Sequence, residues 1–223
     1  MILIFDLDDT LYDERSFVES GLRAVSQFGS EAFGLDAGES FSFMMRALEA
    51  DGRGRIFDCW LSEYGLKNQR RVADCVKVYR HHQPDITLPK LHRDLLRRLR
   101  QLHPLYLVTD GHKIAQQRKV EALGIAPYFR RVFITHRFGI AQAKPSLYCF
   151  EQIKKAEGCD WAQMLYLGDN PAKDFVNLNQ VGAVTVRVHT GVHAGVVAKP
   201  AFDAAHHIER LIDFEPLLAR LTS

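Results

Sequence analysis

Short apolar segments alternate with helix-length amphipathic segments over most of the chain. Runs that are apolar on both faces are typical of parallel strands covered by helices on both sides, and the intervening helices supply right-handed crossovers. The pattern predicts an α/β fold with a doubly wound, Rossmann-like parallel sheet. The predicted strands are Ile2 to Phe5, Leu105 to Thr109, Val132 to Thr135, Met164 to Gly168 and Ala183 to Val188.

Residues 14–85 have a different pattern, because strong strand candidates disappear there. The segments SFVESGLRAVSQF, SFSFMMRALEA and RIFDCWLSEYGL look helical, with Gly, Asp and Ser between them. We therefore expect a helical insert at 14–85 after the first strand, and a core made of residues 1–13 and 86–223. Further helices are predicted in PKLHRDLLRRLRQL, with an apolar stripe of Leu91, Leu95, Leu99 and Leu102, and from Ile208 to Leu221.

The composition limits the class of protein. A hydrophobic share of 47% and a charged share of 25% over 223 residues are ordinary for a globular chain. The net charge of +2 argues for neither nucleic acid nor a membrane surface as a partner. The first apolar run ends at Asp6 without a basic segment, so it resembles neither a signal peptide nor a membrane span. The cysteines form no CxxC pair. We expect a cytoplasmic monomer or weak homodimer.

Polar residues follow the predicted strands where each strand ends. Asp6 and Asp8 come directly after the first strand, and their spacing of two places them on one face of an extended segment. Thr109 ends the second predicted strand, and Asp169 follows the fourth, with Asp174 five residues later. Open α/β sheets bind ligands beyond the carboxyl ends of their strands, so these side chains are expected at one edge.

Lys144 adds a positive charge to this set. It stands immediately before Pro145, which we expect at the first position of a helix. Carboxylates close together repel one another unless a cation lies between them, and Mg²⁺ prefers one or two carboxylates plus a phosphate oxygen. A carboxylate can also attack phosphorus, and the negative charge on the transferring phosphoryl group then has to be stabilised by a cation, a lysine and hydrogen-bond donors. The sequence thus predicts Mg²⁺-dependent phosphoryl chemistry. No dinucleotide cofactor is expected, because GVHAGV lacks the required spacing.

Four ordered motifs, FDLDDTLYD, LVTDG, AKP and LGDNPAKD, are similar to those of the haloacid dehalogenase superfamily of phosphohydrolases. The resemblance covers nearly the whole chain, and the helical insert resembles the C1-type cap of its subfamily I. It implies that Asp6 is the nucleophile and Asp8 the general acid and base. Thr109 would bind the transferring phosphoryl group, and Lys144 would neutralise charge on it and on Asp6.

The resemblance also implies a set of Mg²⁺ ligands. These would be Asp6, the backbone carbonyl of Asp8, and Asp169, with Asp174 acting directly, through water, or by orienting Lys144. Superfamily members that remove halides lack an acid two residues after the nucleophile, so Asp8 favours the phosphatase branch. Asp9 is expected to be a structural turn residue.

Two alternatives stay open at this point. A phosphomutase would return the phosphoryl group to a sugar, and a phospho-receiver-like signalling module would store it. The substrate is expected to be a small phosphomonoester of the nucleotide or sugar phosphate type.

Overall fold

A computed structural model describes residues 1–222. The chain divides into two compact units, one formed by Met1–Glu14 together with the chain from Thr87 onward, and one formed by Arg15–Ile86. No helix in residues 1–222 is both long enough and apolar enough to cross a membrane.

The helical unit follows the first strand. Its helices are α1 (Glu14–Phe33), α2 (Ala37–Asp51), α3 (Ile56–Glu63) and α4 (Gln69–His81). Asp36 and Asn68 cap the amino termini of α2 and α4, where their side chains accept hydrogen bonds from backbone amides three residues later. Trp60 of α3 is fully buried and lies against Gly29, where a Cβ would come within 2.5 Å of the indole ring. The small residue thus permits close helix packing.

The other unit contains a six-stranded parallel sheet. In chain order its strands are β1 (Ile2–Phe5), β2 (Leu105–Thr109), β3 (Arg131–Ile134), β4 (Met164–Gly168), β5 (Val184–Val188) and β6 (His206–Ile208). They lie in the spatial order β3-β2-β1-β4-β5-β6, and every neighbouring pair is parallel. All residues of β1, β2 and β4 are buried, as expected for central strands covered on both faces. The predicted fold class is confirmed.

The helices of this unit are α5 (Lys90–Leu102), α6 (Lys113–Leu123), α7 (Tyr148–Glu157), α8 (Val176–Gln180) and α9 (Phe214–Thr222). The leucine stripe predicted for α5 is half wrong. Leu95, Leu96 and Leu99 are buried, whereas Leu91 and Leu102 are 61% and 78% exposed. Both exposed leucines lie in the end turns of the helix, which extend beyond the buried surface.

The prediction for the carboxyl-terminal part is corrected as well. The predicted helix from Ile208 to Leu221 is wrong at its start, because Ile208 belongs to β6 and pairs with Val188 of β5. The regular helix begins only at Phe214. β6 has three residues, two of them histidines, so no apolar run marked it in the sequence.

Candidate active site

The sheet order brings three motif-bearing strands side by side. β1 lies between β2 and β4, and Phe5 is in register with Leu107 on one side and Leu167 on the other. Asp6, Thr109 and Asp169 therefore stand at the carboxyl ends of adjacent strands. The sheet reverses its winding direction between β1 and β4, which is where open α/β sheets bind ligands.

Three carboxylates meet at this edge. Asp6, Asp169 and Asp174 are buried and can each direct one oxygen into a group whose atoms all lie within 4.8 Å of one another. Burial and the neighbouring Asp174 raise the pKa of Asp6 to about 6, although Lys144 opposes the shift. Burial, followed by repulsion from Asp6 and Asp174, raises the pKa of Asp169 to about 9. With all three carboxylates ionised, the group would hold more negative charge than its surroundings balance.

Lys144 supplies part of the balance. Its Nζ lies 2.8 Å from Asp6 Oδ1 and 2.7 Å from Asp174 Oδ1, and it donates to the Tyr166 hydroxyl at 2.8 Å. Burial opposes the charged ammonium, but Asp174 and Asp6 outweigh it and raise the pKa of Lys144 well above its usual value. One lysine among three carboxylates leaves a charge deficit that a divalent cation would fill. The donor set of hard carboxylate oxygens is the kind that Mg²⁺ prefers.

The loop that carries Lys144 differs from the prediction. The Lys144–Pro145 peptide is cis, and the next helix, α7, begins only at Tyr148. Pro145 therefore lies in a turn and not at a helix start. Asp110 holds this loop, since its Oδ1 accepts hydrogen bonds from the Lys144 amide at 3.1 Å and from Thr135 Oγ1 at 2.5 Å. Tertiary hydrogen bonds, and not a helix terminus, orient the lysine.

Thr109 provides a hydroxyl at the same edge. The residue is fully buried, and within residues 1–222 its Oγ1 has no hydrogen-bond partner. A buried hydroxyl without a partner costs free energy, so such a group at a ligand site suggests that a bound ligand completes its hydrogen bonding. Helix α6 begins four residues later, at Lys113.

Asp174 is engaged on both oxygens. Its Oδ1 contacts Lys144 and accepts from the Tyr166 hydroxyl at 3.2 Å, while its Oδ2 accepts from the Asn170 amide at 2.9 Å. Gly168 leaves the necessary space, because a Cβ there would lie 2.5 Å from Asp174 Oδ2. Of the two roles that the resemblance implied for Asp174, these contacts favour orientation of Lys144.

Asp8 stands apart from the group formed by Asp6, Asp169 and Asp174. Its Oδ1 accepts hydrogen bonds from Lys119 Nζ at 2.7 Å and from the Tyr12 hydroxyl at 2.9 Å, and its Oδ2 accepts from Gln116 Nε2 at 2.7 Å. Burial alone would raise the pKa of Asp8, but Lys119 and the hydrogen bonds lower it. The Asp8 side chain without bound substrate is therefore an ionised carboxylate at neutral pH.

Gln116 and Lys119 were not predicted from the sequence as residues of this site. Both are buried on the inner face of α6, together with Val120 and Leu123. A signal was present, because the spacing of 116, 119, 120 and 123 follows one face of a helix, and polar residues occupied two of those four positions. Buried polar side chains need partners, so these two could have been paired with the acidic residues of the first motif.

Asp9 is a turn residue, as predicted. Its φ is 52°, and its carboxylate accepts hydrogen bonds from the backbone amides of Glu14 at 2.9 Å and Val192 at 3.3 Å. The Thr190 hydroxyl donates to the Asp9 carbonyl. Asp9 thus ties the loop after β1 to the segment after β5.

The sequence and the geometry can be compared with known proteins. The family model of haloacid dehalogenase-like hydrolases matches residues 1–182, most of the chain. The chain belongs to the haloacid dehalogenase-like hydrolase family. The prediction of a phosphoric monoester hydrolase of this family is thereby supported, and named phosphatases among its relatives confirm it.

Two of these relatives are archaeal proteins named glyceraldehyde 3-phosphate phosphatase. The Methanocaldococcus jannaschii protein is 29% identical over 196 residues, covering 85% of each chain. The Methanopyrus kandleri protein is 28% identical over 199 residues, covering 85% of this chain and 84% of its own. Among solved structures, the HAD-hydrolase YfnB of Bacillus subtilis, bound to magnesium, matches with a TM-score of 0.71 at 21% identity, covering 100% of this chain and 98% of its own. At that identity the likeness shows the fold.

Proposed function

We propose that this hydrolase is a Mg²⁺-dependent phosphatase that acts on a small sugar phosphate through a phosphorylated Asp6. The observation that carries the proposal is the buried group of Asp6, Asp169 and Asp174 around Lys144. At the same sheet edge lies the hydroxyl of Thr109, which has no hydrogen-bond partner among residues 1–222. Carboxylates, a lysine and a hydroxyl donor are the parts that phosphoryl transfer requires.

The contacts support a role for each residue of this group. Lys144 holds Asp6 Oδ1 at 2.8 Å, which orients the carboxylate so that its other oxygen can attack phosphorus. As the oxygen of Asp6 bonds to phosphorus, the bond to the leaving oxygen breaks and its electron pair stays on that oxygen. Thr109 donates a hydrogen bond to the phosphoryl group, and Lys144 offsets its charge. Asp6, Asp169 and the backbone carbonyl of Asp8 would hold Mg²⁺, which would neutralise negative charge on the phosphoryl oxygens, while Asp174 beside them orients Lys144.

Asp8 is proposed to act in both halves of the reaction. In its protonated form it would give a proton to the leaving oxygen, and as the resulting carboxylate it would later accept one from the water that attacks phosphorus. The phosphoenzyme bond then breaks, which returns Asp6 to a carboxylate and releases inorganic phosphate. Each half-reaction is an easier displacement than direct hydrolysis.

The substrate class is inferred from the relatives. Several are named for glyceraldehyde 3-phosphate, so we propose a short-chain sugar phosphate in preference to a nucleotide. A panel of phosphorylated metabolites, read out by phosphate release, tests this choice. Free inorganic phosphate is the product expected of a phosphatase, whereas an isomerised sugar phosphate would identify a phosphomutase.

The covalent mechanism is tested by Asp6→Asn with p-nitrophenyl phosphate and Mg²⁺. An amide oxygen is a much poorer nucleophile, so we expect kcat to fall by about 10⁴-fold or more. Chelation of the cation with EDTA is expected to abolish wild-type turnover, and added Mg²⁺ to restore it. Near wild-type turnover by the variant would exclude an Asp6 phosphoenzyme.

The division into a catalytic core at 1–13 and 86–223 and a cap at 14–85, the cytoplasmic location and the monomeric or weakly dimeric state stay predictions.

A further inference from the structure

A second cluster of buried and partly buried polar side chains surrounds Asp8. It consists of Tyr12, Glu14, Gln116 and Lys119, and we call it the Asp8 cradle. Lys119 Nζ lies 2.7 Å from Asp8 Oδ1 and 2.7 Å from Glu14 Oε1. The Lys119 side chain is 3% exposed, and those of Asp8 and Glu14 are 18% and 14% exposed. A lysine this deeply buried is retained only where it is paired, and here it bridges two carboxylates.

The cradle fixes both oxygens of Asp8. Lys119 and the Tyr12 hydroxyl donate to Oδ1, while Gln116 Nε2 donates to Oδ2 and also to the backbone carbonyl of Asp110. A carboxylate offers roughly four lone-pair positions, so these three donors leave about one, on Oδ2. Because Asp110 directly follows Thr109, Gln116 links the orientation of Asp8 to the strand that carries the phosphoryl-binding hydroxyl.

The cradle restricts the orientation of the Asp8 side chain, because rotation of the carboxylate would break its hydrogen bonds to three donors, one of them charged. A general base has to hold an oxygen in a fixed direction to accept a proton from water. Glu14 in turn keeps Lys119 in place, because a lysine held between two fixed carboxylates loses its alternative rotamers.

We propose that Lys119, held by Glu14, is a positioning residue that keeps the Asp8 carboxylate aimed at the water that hydrolyses phosphorylated Asp6. The inference rests on the proposed function. In this step the water oxygen bonds to phosphorus, the bond from Asp6 to phosphorus breaks with its electron pair returning to Asp6, and the water proton passes to Asp8.

The test is Lys119→Met in the full chain, with p-nitrophenyl phosphate and Mg²⁺. The p-nitrophenolate leaving group of this ester is weakly basic and departs without protonation, so formation of the phosphoenzyme depends little on Asp8. If only hydrolysis of the phosphoenzyme slows, kcat and KM are expected to fall together by about 10- to 100-fold, with kcat/KM kept within about threefold. Rapid-quench measurements are expected to show a burst approaching one p-nitrophenol per active site.

A charge-balanced variant guards against misfolding. Lys119→Met with Glu14→Gln removes one positive and one negative charge. Of the three charged groups Asp8, Glu14 and Lys119, only the Asp8 carboxylate then remains. This double variant is expected to show the same joint fall in kcat and KM. Lys155→Met, an exposed lysine of α7, is the matched control and is expected to retain wild-type kinetics.

The outcomes separate this inference from the proposed function. A fall in kcat with KM unchanged and no burst would mean a smaller active fraction and would overturn the positioning role, as would unchanged kinetics in both variants. The proposed function would survive either result, because the wild type would still turn over the ester. A wild type without phosphatase activity would overturn both.

Discussion

The buried carboxylates predict an unusual dependence of stability on pH. In the folded protein without a cation, Asp6 and Asp169 have pKa values of about 6 and about 9, against a usual value of 3.8. Above pH 3.8 the unfolded chain has released these protons while the folded chain retains them. The folded state binds more protons, so the free energy of unfolding falls as pH rises, up to each folded pKa.

The magnitude follows from these values. One pKa unit corresponds to about 1.36 kcal/mol. Between pH 5 and pH 8 we expect a loss of about 1 kcal/mol from Asp6, whose contribution ends near pH 6, and about 4 kcal/mol from Asp169, whose contribution continues throughout. A total of about 5 kcal/mol corresponds to a Tm about 10–20 °C lower at pH 8.

Other groups contribute little to this interval or oppose it. The pKa values of Asp8 and Asp110 are lowered below 3.8, so their stabilising effect is complete before pH 5. The pKa values of His103 and His193 are lowered mainly by burial, so these residues add stability as pH rises toward 6.5. The fall should therefore be clearest between pH 6.5 and pH 8.

The assay is urea or thermal unfolding in EDTA at pH 5, 6.5 and 8, repeated with Mg²⁺. The cation binds ionised carboxylates, so we expect it to stabilise the protein at pH 8, by about 2.7 kcal/mol at a hundred times its Kd, and much less at pH 5. Asp169→Asn is the control and should reduce the loss between pH 5 and pH 8 to about 1 kcal/mol or less. Stability in EDTA that is equal or higher at pH 8 would refute the reasoning.

Two further substitutions test single contacts. Thr109→Val keeps the side-chain shape and removes a hydroxyl that has no hydrogen-bond partner among residues 1–222, so kcat/KM should fall about 100-fold while the free energy of unfolding stays within about 1 kcal/mol. A loss of unfolding free energy as large as the loss of transition-state stabilisation would contradict a role in binding the phosphoryl group. Gly191→Ala would bring a Cβ to 2.0 Å from Asp9 Cγ at a φ of +64°, so urea unfolding should show a loss of more than about 2 kcal/mol. Gly195→Ala, with nothing within 4 Å, should have little effect, and equal losses would contradict the packing argument.

Much of the fold could be predicted because the signals were local. All of β1, β2 and β4 is buried, so their apolar runs gave their limits to the residue. The short edge strand β6 carried no such run, since an edge strand with one neighbour tolerates histidines. The end leucines of α5 were misassigned because periodicity shows which face is apolar and not how far the partner surface extends.

The same distinction between local signals and distant contacts applies to the candidate site. The strand ends in the sequence were enough to predict Asp6, Thr109 and Asp169 at one edge, because parallel strands place their carboxyl ends there. Lys144 was also predicted at this edge, but the helix start expected at Pro145 is wrong. The hydrogen bond from the Lys144 amide to Asp110 joins residues 34 positions apart in the chain. No local pattern encodes that contact.

By itself, the sequence determined the class of sheet, the helical insert and the chemistry gathered at one edge, because hydrophobic periodicity and strand-end residues act over a few positions. Only the tertiary structure decided what each charge faces. Lys119 reaches Asp8 across 111 positions of the chain and Lys144 reaches Asp6 across 138. The energy of a buried charge depends on its partners in space, so the division of the carboxylates between the group of Asp6, Asp169 and Asp174 and the Asp8 cradle could be seen only once the chain was folded.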